Sequence, residues 1–402
     1  FLCFIRGSCD TGCSDHAILH RDLILGWRHM GKGIRALFLQ AVGGVAHVQA
    51  LDGLRGLAVL IVIGSHLSNA GWLPVPNLSG IGKSGVYLFF VLSAYLLSHA
   101  MLARPPGGLS SARYWLNYAL RRVLRIWPLY LAILLLSWAL NRAGVPWHYQ
   151  IDTTTLVNHL ALREGQSVLW SIPVEFTFYL WLPLIVLVLR ALRGKAGARW
   201  RGLALLVVLA LLASWLWPAA QAPGNGVKLG PYLVLFLSGV AAAWIQQGWP
   251  GLACWWLGWR ALGWVLLGGL VLITPSLWAL LSGGEFNPGF NSRWFMTFGV
   301  GWALLLLSVL WGGGLLQRFF ASTPMRLVGV VSFSAYLWHM PVLQVADALG
   351  VRAWGWPGLF LLLVSMLLVA MASFLLFERP WREVRYGASV SARQERPLAH
   401  RR

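Results

Sequence analysis

The ionisable residues that lie inside apolar stretches are the first candidates for chemistry in this chain. Of its 12 acidic residues only Glu175 lies well inside such a stretch, and of its 10 histidines only His66 and His339 do. A charged side chain is costly within a bilayer, so an ionisable residue at such a position marks a functional site by default. Together, two imidazoles and a carboxylate could take up and release protons near neutral pH.

The spacing of Arg55 and His66 places both residues on one helix face. They are eleven residues apart, which is close to three whole turns, and His66 would lie about 16 Å further along the axis. Glu175 and His339 are expected at a depth similar to that of His66. There are plain structural alternatives. His339 could be an interior histidine bonded to a backbone carbonyl, and Glu175 could pair with an arginine to hold two helices together.

Three arginines cluster where another apolar stretch begins. The segment RRVLRIWP contains Arg121, Arg122 and Arg125, and a guanidinium makes forked hydrogen bonds with phosphate oxygens. Arg125 lies three residues inward of Arg122, at the edge of the apolar run, which favours a phosphate ligand. The alternative is that this charge only sets the orientation of the chain against anionic lipid.

Helices that cross a membrane must position these residues, because the composition does not fit a soluble protein. The chain has 402 residues, 58% hydrophobic and 11% charged, and its mean hydropathy is +0.66. Soluble proteins carry about 25% charged residues. Runs of ~20 apolar residues span a bilayer, and such runs lie near residues 51–69, 84–102, 123–140, 168–189, 202–218, 229–246, 260–281, 294–311, 327–346 and 356–377. The sequence predicts an all-α integral membrane protein, a bundle of about ten transmembrane helices.

The distribution of charge predicts the orientation of the bundle. With ten spans and both termini in the cytoplasm, 20 Lys and Arg fall on the inner side after the first helix and 6 on the outer side, as the positive-inside rule requires. The net charge of +20 is scattered between apolar runs rather than gathered on a folded polar face, so nucleic acid is not an expected partner. The spacing of Cys9 and Cys13 resembles a zinc pair, but a zinc site needs further well-spaced ligands, and no metal is expected.

Residues 1–46 mix charge, cysteine and glycine without an uninterrupted apolar core, so they do not resemble a signal peptide. We expect an N-terminal extension that is disordered or reflects a misassigned start. The membrane domain is predicted to cover residues 47–382. Residues 383–402 are predicted to form a basic cytoplasmic tail.

Six ordered segments resemble the bacterial acyltransferase-3 family, of the O-antigen and polysaccharide acetylase type. They are LDGLRGLAVLIVIGSHL, GKSGVYLFFVLSAYLL, RRVLRIWPLYL, LWSIPVEFTFYLWLPL, SFSAYLWHMPV and FERPWR, and they extend from about Leu51 to Arg382. The resemblance implies ten core helices, acetyl-CoA or another acyl-CoA as donor, and acyl transfer to a hydroxyl of a glycan or lipid-linked saccharide. It also implies a location in the bacterial inner membrane.

The resemblance also implies roles for individual residues. Arg55 and His66 match the family's first-helix pair, Arg122 and Arg125 match its paired arginines, and Glu175 matches its membrane glutamate. The later segments supply further candidates at Trp170, Tyr336, His339 and Glu378. Three positions depart from the usual pattern, namely Tyr87, Ala94 and Phe176. The family often has an acidic residue where this chain has Tyr87 and Phe176, so no role of such an acid carries over.

The resulting hypothesis is a membrane O-acyltransferase. Arg55, Arg122 and Arg125 would hold the phosphates of acyl-CoA, His66 would be a general base or a transient acyl carrier, and Glu175 would orient or charge-balance an imidazole. A proton-coupled transporter or flippase for an anionic metabolite is the alternative, with the buried residues as a proton relay. A scaffold without chemistry would leave the cost of burying Glu175 and His66 unexplained.

Overall fold

The protein is described from a computed structural model that covers residues 49–73, 78, 80–193, 197–218, 224–287, 290–382 and 384. The predicted extension 1–46 lies outside the described residues, as does the predicted tail 383–402 apart from residue 384. Within the described part the secondary structure is helical, with no strand.

The α-helices follow the predicted apolar runs. Their bounds, in chain order, are α1 Gln49–Asn69, α2 Gly82–Leu102, α3 Ala112–Arg142, α4 Thr153–Leu160, α5 Ser171–Leu192, α6 Ala198–Leu216, α7 Leu233–Gly248, α8 Trp256–Leu272, α9 Pro275–Ser282, α10 Phe295–Gly312, α11 Gly314–Phe320, α12 Thr323–Val330, α13 Ser332–Ala348 and α14 Trp356–Ser373. A π-helical turn, Phe374–Glu378, and a 3₁₀ turn, Arg379–Trp381, continue α14.

The predicted spans are confirmed as helices. Within the described residues seven helices are long and apolar enough to cross a membrane, or up to nine if two bent pairs each count as one span. The remaining predicted run forms α7, whose 16 residues fall just short of the usual ~17 to 25. The chain is a multi-pass membrane protein.

Two of the predicted runs are broken helices. Helices α8 and α9 meet at 79° beside Thr274, and Pro275 occupies the first position of α9, where a missing N–H is tolerated. Helices α12 and α13 meet at 74° at Val331. This second break leaves the first N–H groups of α13 without intrahelical partners, in the interior of the bundle.

Helices α1 and α2 form the centre of the bundle. Helix α1 packs against α2, α11, α12 and α13, and α2 packs against α5, α7 and α10. Glycines permit the closest approaches, as is common between membrane helices: a Cβ on Gly53 would lie 1.9 Å from the carbonyl oxygen of Phe320, and one on Gly329 would lie 1.7 Å from that of Asp52. These close approaches fix α1 against α11 and α12.

Helix α3 begins earlier than the sequence indicated. It starts at Ala112 rather than near residue 123, so the arginine segment lies in its third and fourth turns and not at its first. Its 31 residues extend over about 46 Å, against a hydrocarbon core of ~30 Å. The helix is therefore longer than the hydrocarbon core is thick, and its arginine segment lies in its first half.

Candidate active site

Two histidines from different helices are neighbours. The rings of His66 on α1 and His339 on α13 have centroids 5.1 Å apart and are tilted by 52°. Nδ1 of His339 lies 2.7 Å from the carbonyl oxygen of Tyr336. Because a carbonyl only accepts hydrogen bonds, Nδ1 carries the hydrogen. Nε2 of the neutral ring then carries a lone pair and can accept a hydrogen bond. That Nε2 is buried and has no hydrogen-bond partner in the described part of the chain.

A third imidazole, His148, was missed by the sequence reasoning. It lies in the segment after α3, its Nε2 is 2.9 Å from the hydroxyl of Ser167, and it interacts electrostatically with both His66 and His339. Burial lowers the pKa of His148 below its ordinary value, so the ring is neutral near pH 7. Among the histidines, only those inside apolar runs are candidates in the sequence, and His148 lies outside the runs. Among the described residues no group of three or more His, Cys, Asp or Glu is arranged to hold a metal.

Tyr336 and Trp170 are packed in the interior. The hydroxyl of Tyr336 donates to the carbonyl of Val168 at 2.7 Å and accepts from Ser171 at 3.1 Å, and its ring centroid lies 6.1 Å from that of His339. Trp170 is 3% exposed, and its ring is tilted against that of Tyr232 with centroids 4.9 Å apart. Both rings are buried, and the hydroxyl of Tyr336 joins the His339 segment to the start of α5.

Glu175 is bound by hydroxyl groups. Ser93 donates to its Oε1 at 2.7 Å, and Tyr179 donates to the same oxygen. None of the described hydrogen bonds of Glu175 involves an imidazole, so they do not support the expectation that this carboxylate orients one. The guanidinium of Arg122 lies 5.7 Å from the centre of the Tyr179 ring. Glu175 therefore connects through Tyr179 to the arginine end of the site.

Arg125 is already paired. Its Nη1 donates to Oε2 of Glu378 at 2.6 Å, and Oε1 of Glu378 accepts from the backbone N–H of Ser334 at 3.2 Å and from its hydroxyl at 2.6 Å. Ser334 is the third residue of α13, so Glu378 caps the helix that begins at the Val331 break. The arginine that was assigned to phosphate is the same one that holds this cap.

The arginine end carries excess positive charge. Arg55 interacts electrostatically with Arg125 and with three carboxylates, but within the described residues it forms no ion pair. Arg382, just beyond the last span, stacks on Phe374 at 4.5 Å. Burial, followed by repulsion from Arg125, lowers the pKa of Arg382 to about 10. We define the arginine cluster as Arg55, Arg122, Arg125 and Arg382, and the imidazole cluster as His66, His148 and His339.

These clusters lie at different depths of one bundle. Arg55 and His66 are separated by about 16 Å along α1, and the hydroxyl-bound Glu175 belongs to neither cluster. The structure therefore brings together Arg55, Arg125 and Glu378 at one end, and His66 with His339 at the other.

Comparison with known sequences identifies the family. The sequence model of acyltransferase family 3, described as an acyltransferase domain, matches residues 48–375. This chain therefore belongs to that family of membrane acyltransferases. No solved structure matches the chain significantly.

Curated relatives share moderate identity. The Peptidoglycan O-acetyltransferase OatA of Listeria monocytogenes is 24% identical over 322 residues, which cover 74% of this chain and 50% of the relative. The O-acetyltransferase OatA of Staphylococcus aureus is 26% identical over 368 residues, 84% of this chain and 57% of the relative. A protein named as a membrane-bound transacylase, BcsY of Komagataeibacter xylinus, is 26% identical over 369 residues, which cover 85% of this chain and 85% of the relative. The chain spans about half the length of the OatA relatives.

Proposed function

We propose that this protein is a membrane O-acetyltransferase that moves an acetyl group from acetyl-CoA, or a related acyl-CoA, to a hydroxyl of a cell-envelope glycan. The observation that carries the proposal is the contact between His66 and His339, with the unbonded Nε2 of His339 buried beside it. Neutral imidazoles within a membrane bundle are suited to accept a proton from a hydroxyl. The names of the OatA relatives support an O-acetyl product, and peptidoglycan is the acceptor that the Listeria relative names.

In the proposed reaction His66 takes the proton of the acceptor hydroxyl. The oxygen then forms a bond to the acyl carbon, the thioester C–S bond breaks, and the CoA thiolate leaves and regains a proton from the imidazole. If His66 instead carries the acyl group for a time, its ring nitrogen forms a bond to the acyl carbon as the thioester C–S bond breaks. The acceptor oxygen then bonds to that carbon as the carbon–nitrogen bond breaks, and the hydroxyl proton passes to the CoA thiolate. His339 and His148 lie where they can share the positive charge that develops on His66.

The arginine cluster is the proposed site of the donor phosphates. Arg55 is the strongest member, because it lies among charged groups without an ion pair in the described residues. Arg122 adds a second guanidinium, and Arg125 can use donors that Glu378 leaves free, since a guanidinium has five N–H groups. The long pantetheine arm of the donor would run from this cluster toward His66.

Release of CoA by the purified protein, with acetyl-CoA and peptidoglycan fragments supplied together, tests the proposal. His66→Gln keeps a polar side chain but cannot exchange protons near neutral pH, so it should lose at least ~10²-fold of the transfer rate. The matched control is His99→Gln, because His99 is also on an apolar helix but stacks on Tyr95, away from the imidazole cluster.

Two results would contradict the proposal. A well-folded His66→Gln protein that keeps more than about a tenth of the wild-type rate would remove His66 from the chemistry. Wild-type protein that consumes no thioester with any hydroxyl acceptor, yet moves an anionic metabolite across vesicles, would favour the transporter alternative.

A further inference from the structure

A cavity lies apart from both clusters. It has a volume of about 340 Å³, and its lining includes Arg260, Trp264, Ser308, Gly313, Leu315 and Arg318. It forms where the first turns of α8, the end of α10 and the start of α11 meet. None of its lining residues belongs to the imidazole cluster or to the arginine cluster, so the proposed acyl transfer leaves this cavity without a role.

The cavity holds one arginine in a fixed orientation. Nε of Arg260 donates to the carbonyl of Gly312 at 2.7 Å, and its guanidinium lies 4.5 Å from the centre of the Trp256 ring. The chain turns through Gly313 and Gly314 with φ of +62° and +73°. A Cβ on Gly314 would lie 2.9 Å from Nε of Arg260, so glycine is what allows the guanidinium to lie against this turn. Within the described residues the other two nitrogens of Arg260 make no hydrogen bond.

The cavity has positive charge without a counter-charge. No ion pair within the described residues involves Arg260 or Arg318, and no acidic side chain lines the cavity. Two guanidiniums that face one cavity repel each other, and an anion with several oxygens relieves that repulsion while accepting forked hydrogen bonds. The chemistry of the lining therefore calls for a phosphate-like group.

The outer wall of the same cavity is apolar and exposed. Leu315 is 75% exposed and Trp264 is 54% exposed, and on a membrane bundle such side chains face lipid. Tryptophans are typical of the level at which headgroups meet acyl chains, and basic pockets between helices bind anionic headgroups there. A free phosphate would use only the arginines, whereas a phospholipid uses the arginines and the apolar wall together.

We propose that this cavity binds one anionic phospholipid, with its headgroup phosphate on Arg260 and Arg318 and its acyl chains along Leu315 and Trp264. The lipid would join α8, α10 and α11 at one membrane surface. Because α11 also packs against α1, a lipid bound here touches the elements that support the proposed active site without contacting that site.

Native mass spectrometry of the purified full chain, titrated in detergent with phosphatidylglycerol or phosphatidylcholine, tests the proposal. One phosphatidylglycerol should bind with saturation and phosphatidylcholine should not. Arg318→Gln should weaken the phosphatidylglycerol Kd about fivefold, and the double variant with Arg260→Gln more than about tenfold. Arg201→Gln removes an exposed arginine from the first turn of α6 and should change the Kd less than about twofold.

Arg318 is exposed and makes no ion pair in the described region, so its variant should fold even if Arg260→Gln does not. Equal binding of the two lipids would overturn the proposal, and so would an Arg318→Gln protein with unchanged affinity. Displacement of bound phosphatidylglycerol by coenzyme A at similar concentration would assign the cavity to a nucleotide and also overturn it. Displacement by inorganic phosphate alone would show that the cavity is a simple anion site, and this result would also overturn the proposal of a lipid.

Discussion

Replacing Glu378 by glutamine should destabilise the protein markedly. The carboxylate accepts from Arg125 on one oxygen and from both the N–H and the hydroxyl of Ser334 on the other. Glutamine has only one acceptor oxygen, so its amino group must face either Arg125 or Ser334, both of which are donors. The loss of a charge-assisted hydrogen bond costs about 1.5–3 kcal/mol, and a buried donor without a partner costs about 1–3 kcal/mol more. We expect the free energy of unfolding to fall by about 3 kcal/mol.

A double-mutant cycle separates the ion pair from the helix cap. Arg125→Met should also be strongly destabilising, because it leaves the carboxylate of Glu378 buried, with its side chain 1% exposed, beside an apolar group. The double variant Arg125→Met/Glu378→Met should recover part of that loss, since buried ion pairs are often replaced by apolar residues at little cost. Denaturant unfolding of purified protein in mild detergent measures each step. If the two single effects are each below about 0.5 kcal/mol and simply add, the pair does not hold α3 to the turn that follows α14, and the reasoning is refuted.

Three further outcomes can be measured. Gly53→Ala should destabilise the protein by about 1–3 kcal/mol, because its Cβ would meet the carbonyl of Phe320. Gly268→Ala has open space around its Cβ and should be neutral or stabilise the helix by up to about 1 kcal/mol. The opposite order of the two variants in thermal unfolding would contradict the packing. Because burial lowers the pKa of His148, its neutral form stabilises the folded state above pH 6.5 and that contribution is lost as the pH falls below this value, so His148→Gln should be less sensitive to acid in unfolding assays. A cysteine at Asp152, in a chain whose other cysteines are replaced by serine, should react with an impermeant thiol reagent from outside; labelling only after the inner face is opened would reverse the orientation.

The positions of the helices could be predicted from the sequence because a bilayer requires a minimum length of apolar residues in each span. An apolar run of ~20 residues has few alternatives to a helix in lipid, and each predicted run became helical. The spacing of Arg55 and His66 on one helix was readable for the same reason, since a helix has a fixed period. The breaks at Thr274 and Val331 were not predicted, because both runs remain apolar through the bend.

The partners of the candidate residues could not be read from local patterns. Glu378 is separated from Arg125 by 253 residues, and no periodicity relates them. His148 escaped notice because it lies outside the apolar runs, and its hydrogen-bond partner Ser167 comes from a later segment. The resemblance to a family pointed to Glu175 and Arg122 as functional residues, but only the structure shows that Tyr179 lies between them.

The pairing of Arg125 with Glu378 also affects how the protein is made. The two residues leave the ribosome far apart in time: at ~5–20 residues per second, 253 residues take roughly 13 to 50 s to synthesise. Until Glu378 is made, Arg125 lacks this carboxylate partner. The first turn of α13 is made only 44 residues before Glu378 and lacks its cap for that shorter time. The last helix therefore completes the arginine end of the bundle, and a nascent chain released before residue 378 would retain most of its spans but lack this closing contact.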